Sequence, residues 1–280
     1  MLSSEDVQLA IRKALSQARV LPKPDLSGDL VIISSSDALP AARVLYVGVV
    51  SSGARAILLG PTEASVLLMP YREVPKVVVY ALSPWDSRAV RATEEAILLG
   101  SDVYLVSPSM HEALEVRLTR HRELKRVEVS GSPPLMTMIL ASALWSPRPL
   151  GSRGGRLESE LKALDGAPQW ILEKFSREAA EVSSLREFTA YYTPAVEPGA
   201  RYLCAASSSC SGSFPLEELG RHREAAAVLM ETTSESHDYS DVELALGSRI
   251  KAVKVLINTD PITAGVYSAL FGALAAGKVI

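Results

Sequence analysis

The sequence predicts an α/β protein built on a doubly wound parallel sheet and followed by a second half of similar make. Three observations carry this. Residues 76–107 (KVVVYALSPWDSRAVRATEEAILLGSDVYLVS) read as a βαβ unit. Short apolar runs alternate with amphipathic stretches through the first 147 residues. One motif also recurs, LVIISSS at 30–36 and LCAASSS at 203–209.

Residues 4–19 have Val7, Ile11, Ala14 and Ala18 at helical spacing, with Glu5 and Asp6 in the first turn, and Pro22 and Pro24 end the helix. A buried strand at 30–33 leads into Ser34, Ser35, Ser36 and Asp37. A helix over 39–50, a strand over 55–59 and a turn, Gly60-Pro61-Thr62-Glu63, follow. Val77 to Leu82 is β-branched and apolar, as a strand covered on both faces is. Ser83-Pro84-Trp85-Asp86 then breaks the ladder and supplies helix-start residues. Ala89, Ala92, Ala96 and Leu99 line one face of the next helix, Gly100 ends it, and 103–106 is a strand. A helix over 109–117, a strand over 125–129 and a buried helix over 135–145 complete the first half.

Residues 146–156 (SPRPLGSRGGR) carry no apolar period and read as a linker, dividing the chain into 1–147 and 148–280. Helices are expected at 157–165 and 169–188, and Pro194 and Pro198 mark a break. A strand at 202–206 is expected to feed a Ser-rich loop, 207–213. A helix at 215–223, strands at 225–230 and 253–257, and a last helix at 261–276 close the chain.

The 280 residues suffice for a large core and two domains. Net charge is −3 with no block of five or more like charges, which argues against a nucleic-acid partner. No apolar run reaches the length of a membrane span, and the N-terminus lacks the basic start and apolar core of a signal peptide. Cys204 and Cys210 are expected as reduced thiols, and the protein as cytoplasmic. A single Asn (Asn258) and three Gln (Gln8, Gln17, Gln169) point to a thermophilic source, since thermolabile amides are depleted there. No dinucleotide or phosphate-loop glycine motif and no metal-spaced His/Cys cluster is present, so neither a cofactor nor a metal is expected.

The candidate binding residues are hydroxyls where strands hand over to helices: Ser34, Ser35 and Ser36, then Ser83 and Ser87, then Ser207 and Ser208. Free backbone N–H groups and the helix dipole favour an anion at such a junction, and small side chains admit it closely. The bland alternative is that these serines only satisfy helix ends.

The layout resembles the sugar isomerase (SIS) family, two flavodoxin-like α/β subdomains that bind phosphosugars. The resemblance rests on Ser34-Ser35-Ser36 after the first strand, Thr62-Glu63 after the second and Ser83-Pro84-Trp85-Asp86 after the third. The family's loop glycines are absent here, and Asp86 stands where it has Thr. The second half is most similar to the archaeal-type bifunctional phosphoglucose/phosphomannose isomerases, through Glu218-Leu219-Gly220-Arg221, Ser236-His237-Asp238-Tyr239, and Tyr267, Gly272 and Lys278 near the end. The resemblance implies a metal-independent aldose–ketose isomerase acting on glucose 6-phosphate or mannose 6-phosphate. In it His237 opens the ring, Glu218 moves the proton, Lys278 assists, and the chain is a homodimer. His222 competes for the histidine role. A non-catalytic phosphosugar sensor of the same fold is the alternative.

Overall fold

The computed structural model describes residues 3–131, 133–149, 151–222, 225–236 and 250–280. The chain divides into two compact units. The first comprises Ala14–Gly154, the second Gly155–Ile280 together with Met1–Lys13. Helix α1 (Ser4–Val20) therefore contributes to both.

The first unit holds five parallel strands, β1 (Leu30–Ser34), β2 (Ala56–Leu59), β3 (Lys76–Tyr80), β4 (Asp102–Ser107) and β5 (Lys125–Glu128), in the order β2-β1-β3-β4-β5. Helix α2 (Leu39–Ser51) follows β1. The short α3 (Pro61–Glu63), continued by a π-helical turn at Ala64–Leu68, follows β2. Helices α4 (Ser87–Leu98), α5 (Glu112–Leu118) and α6 (Pro134–Trp145) follow β3, β4 and β5. Alternation along each strand sends Val31, Ile33, Val77, Val79, Val103 and Leu105 to one face, where Ala89, Ala92, Ala96 and Leu118 cover them. Ile32, Val78 and Tyr80 face the other way, toward α2 and α6. There the Tyr80 hydroxyl meets Ser142 of α6 at 2.7 Å, while burial drives its phenol well above the ordinary range. Both faces are covered, which is why these short strands read as continuous apolar runs.

Among its described residues the second unit holds four parallel strands, β6 (Phe188–Tyr192), β7 (Cys210–Pro215), β8 (Ala226–Thr232) and β9 (Lys251–Ile257), in the order β7-β6-β8-β9. The helices among its described residues are α7 (Ser152–Lys162), α8 (Ala167–Ser183), α9 (Glu197–Ala206) and α10 (Pro261–Ala276). Helices α9 and α10 pack closely because Gly199 has no side chain. A Cβ there would stand 2.2 Å from that of Ser268. Gly272 returns the favour, since a Cβ on it would meet the Gly199 carbonyl oxygen at 3.2 Å.

Four expectations are corrected here. Residues 202–206 are the end of α9, not a strand, because Pro198 falls in the first turn and starts a helix where it was read as a break. Strand β7 starts at Cys210, inside the expected Ser-rich loop 207–213, and β6 starts on the last residue of the expected helix 169–188 and fills a stretch for which no element is expected. The helix expected at 215–223 is one 3₁₀ turn, Leu216–Glu218, stopped by Gly220 at φ 80°. Helix α7 begins at Ser152, inside the expected linker, and Gly154 and Gly155 are helical. A fifth correction concerns the cysteines. Cys204 and Cys210 form a disulfide that ties the last turn of α9 to the first residue of β7.

Candidate functional site

In an open parallel sheet of order β2-β1-β3-β4-β5, the loops after β1 and β3 diverge to opposite faces at the carboxyl edge, the position at which such sheets hold ligands. Both serine loops of the first unit lie there. Ser34 closes β1, is buried, and donates its hydroxyl to the Ser35 carbonyl at 2.8 Å. Ser35, also buried, donates its N–H to the Tyr80 carbonyl at 3.2 Å, which joins the two loop starts. Its hydroxyl donates to Asp37 at 2.5 Å, and Ser36 is exposed.

On the β3 side, Ser83 is half-buried and accepts the Trp85 N–H at 3.3 Å. Asp86 is the N-cap of α4 and accepts the Ala89 N–H at 3.0 Å, so a carboxylate of the chain already sits in the helix's first turn. Ser87, the first helical residue, is exposed. After β2, Glu63 folds back to accept the Gly60 N–H at 2.7 Å. Arg88 and Arg91 of α4 line a small cavity with Pro61, Thr62, Ser65 and Val66. Two arginines at helical spacing are that pairing's only trace in the sequence.

The second unit repeats this geometry at its β6/β8 junction. The Thr193 N–H donates to the Met230 carbonyl at 3.1 Å, as Ser35 does to Tyr80. The Thr233 N–H donates to Ile257 at 3.2 Å, as Ala81 does to Val106 at 3.1 Å. In this correspondence Thr193 matches Ser35 and Glu235 matches Ser83. The Glu235 carboxylate accepts the hydroxyls of Thr193 and Thr232, each at 2.6 Å, and the Ala195 N–H at 3.1 Å. It occupies a cradle of converging donors. This carboxylate has no signal in the sequence, because its partners lie in a separate loop and in β8.

Glu218 ends the 3₁₀ turn after β7, also at the carboxyl edge. His222 Nε2 lies 3.3 Å from its carboxylate, and the His222 ring stacks on Phe214 with centroids 4.0 Å apart. This gives a half-exposed carboxylate–imidazole pair in which the ring is held by both neighbours. His237 lies outside the described residues.

The remaining candidates lie elsewhere. Ser207 and Ser208 follow a helix and precede β7, which puts them at the amino edge, opposite Glu218. The Ser207 N–H closes α9 on the Leu203 carbonyl at 2.9 Å. Lys278 follows Gly277, the left-handed cap of α10. That helix starts beside the carboxyl end of β9 and its 16 residues run away from that edge for roughly 24 Å. The geometry therefore brings Ser34, Ser35 and Ser83 to one edge of the first sheet and Glu218 to the same kind of edge of the second. Ser207, Ser208 and Lys278 are not at those edges.

Among the described residues no helix is long and apolar enough to cross a membrane, and no group of three His, Cys, Asp or Glu is placed to hold a metal. No family model matches the sequence, and no curated protein matches it. Solved structures do. Glucosamine-6-phosphate deaminase from Thermotoga maritima matches with a TM-score of 0.61 at 11% identity, over 98% of this chain and 92% of that one. A candidate sugar-binding protein from Salmonella typhimurium LT2 matches with a TM-score of 0.70 at 10% identity, over 97% and 98%. Tagatose-6-phosphate ketose/aldose isomerase from Escherichia coli matches with a TM-score of 0.59 at 10% identity, over 97% and 86%. Likeness over nearly the whole chain at so low an identity establishes architecture and no more, and that architecture is the α/β fold of the sugar isomerase (SIS) proteins.

Proposed function

We propose that this chain is a cytoplasmic sugar-phosphate aldose–ketose isomerase, interconverting glucose 6-phosphate or mannose 6-phosphate with fructose 6-phosphate without metal or cofactor. The observation that carries the reading is the pair of serine loops at the β1/β3 junction of a parallel sheet, the place where such sheets bind ligands. The names of the structural neighbours, a deaminase and an isomerase of sugar phosphates among them, support the substrate class. In this proposal the loops of Ser34–Ser36 and Ser83–Ser87 take the phosphate. Glu218 removes the proton from C2 of the opened aldose and returns it to C1, so that nothing is gained or lost overall. His237 keeps the ring-opening role that the resemblance gives it, with His222 as its competitor, and the chain acts as a homodimer.

A coupled assay for fructose 6-phosphate conversion tests this, with His237→Ala and His222→Ala side by side. The reading expects turnover in the parent protein and its loss in one of the two histidine variants. Binding should also stabilise the native state, by about 2.7 kcal/mol at a ligand concentration a hundredfold above Kd. A melting curve unmoved by any of the three sugar phosphates would reject it.

The second reading, a phosphosugar sensor without turnover, is favoured by one observation. Asp37 and Asp86 already engage the Ser35 hydroxyl and the first turn of α4, leaving fewer donors for a substrate phosphate. A melting shift with fructose 6-phosphate and no conversion would assign that reading.

A thermophilic source belongs to the same proposal. The amide depletion supports it, and so does the Cys204–Cys210 bridge, since intracellular proteins of hyperthermophiles are rich in disulfides. An unfolding midpoint above about 80 °C is expected. A midpoint near 50 °C, where mesophile domains cluster, contradicts it.

A further inference from the structure

We propose that Trp85 and His111 form a stacking platform for the ring of the bound sugar, and that Trp85 discriminates sugar phosphates from phosphate esters without a ring. This rests on the sugar-phosphate reading above.

Trp85 is a large apolar side chain left 63% exposed in the loop between Ser83 and α4. It is nevertheless held in one pose. Its ring lies on that of His111 with centroids 3.4 Å apart and planes 22° apart. Its N–H donates to the Ser83 hydroxyl at 3.3 Å, and its carbonyl accepts the Ser87 N–H at 2.8 Å. The two loops are also tied together, by the His111 N–H donating to the Pro84 carbonyl at 2.9 Å. His111 is the N-cap of α5, and its Nδ1 accepts the Ala113 N–H at 3.3 Å. That bond makes Nδ1 the acceptor and places the proton of the neutral ring on Nε2, a donor suited to a sugar hydroxyl.

The placement matters as much as the rigidity. Trp85 follows β3 and His111 follows β4, so the stack stands at the carboxyl edge of the sheet, two residues from Ser83. One indole face is taken by His111, and the exposure of the side chain leaves the other for a ligand. The negative face of an indole attracts the positive C–H edge of a sugar ring, and burial of both apolar surfaces adds to it. A rigid aromatic also loses little conformational entropy on binding.

Fluorescence reads this directly. Trp145 is buried and Trp170 half-buried, so acrylamide quenches chiefly Trp85. Fructose 6-phosphate is expected to protect the parent protein from quenching, and glycerol 3-phosphate is not. Trp85→Leu should weaken fructose 6-phosphate binding by about tenfold and leave glycerol 3-phosphate binding within about twofold, whereas Trp85→Phe stays within about threefold of the parent. Equal loss for both ligands would mean that Trp85 only positions the loop, and overturns the proposal. So does a melting shift with fructose 6-phosphate that comes without protection of the indole. If no sugar phosphate moves the melting curve of the parent protein, the functional reading itself fails, and the platform falls with it.

Discussion

Glu218→Gln is expected to lower isomerase turnover by about two to four orders of magnitude, the usual contribution of a general base, with KM for fructose 6-phosphate little changed. Glutamine keeps the size of the side chain and an oxygen within reach of His222 Nε2, which now stands 3.3 Å from the carboxylate. What it removes is basicity, so the 3₁₀ turn at Leu216–Glu218 and the Phe214–His222 stack should survive. The melting shift with fructose 6-phosphate should survive too, because the proposal puts the phosphate on the loops after β1 and β3. Its neighbour Glu217 is exposed and serves as the control, with Glu217→Gln expected at parental turnover. Full turnover in the Glu218 variant would take this residue out of the mechanism and leave the base unassigned. His222→Gln separates orientation from chemistry. If the imidazole only holds Glu218, its loss should cost far less than that of the carboxylate.

The first unit was legible because its local signals agree with one another. Leu30–Ile33 and Val77–Tyr80 are short, apolar and rich in β-branched residues, as strands covered on both faces are. Gly100 at φ 81° closes α4 as its position after a helical face implied. The second unit was misread where residue type and tertiary context conflict. β6 (FTAYY) has the aromatic and Thr content of a strand, but it starts on the last residue of the expected helix 169–188 and is too short to show a period of its own. β7 (CSGSFP) looks like a loop by composition and is a strand only because β6 offers it a partner along five residues. Its edge position tolerates Gly212 and Pro215, which a central strand would not. The Ser-Ser-Ser shared by LVIISSS and LCAASSS misled for the same reason. Three serines followed a strand in one case and a helix in the other, and the true counterpart of β1 is β6. The Glu218–His222 pair was half legible, since both residues were singled out but placed on one helix. Glu235 and the Trp85–His111 stack had no sequence signal, because hydrogen bonds and ring contacts between separate loops leave no spacing to read.

Glu235→Ala is expected to destabilise the protein by about 3 kcal/mol, since buried donors left without an acceptor cost about 1–3 kcal/mol each. Three donors converge on this carboxylate: the hydroxyls of Thr193 and Thr232 and the Ala195 N–H. Both threonines are fully buried, so their hydroxyls depend on an acceptor that the chain supplies. Thr232 keeps a contact with the Ser234 hydroxyl at 3.0 Å, which holds the expected loss below the sum of three orphaned groups. Glu235→Gln retains one acceptor oxygen and should cost about half as much. Urea unfolding at constant m-value measures both variants. A loss under about 1 kcal/mol for the alanine variant would show that the hydroxyls find other acceptors. The same pair bears on function. Glu235 fills, from within the chain, the junction of the second sheet that corresponds to the serine junction of the first. A ligand phosphate is therefore expected on the first unit's loops and not on these. Accordingly, the melting shift produced by fructose 6-phosphate should be as large in Glu235→Gln as in the parent, although both proteins start from different midpoints. A shift that shrank in that variant would place part of the ligand on the second sheet and assign Glu235 a share in holding it.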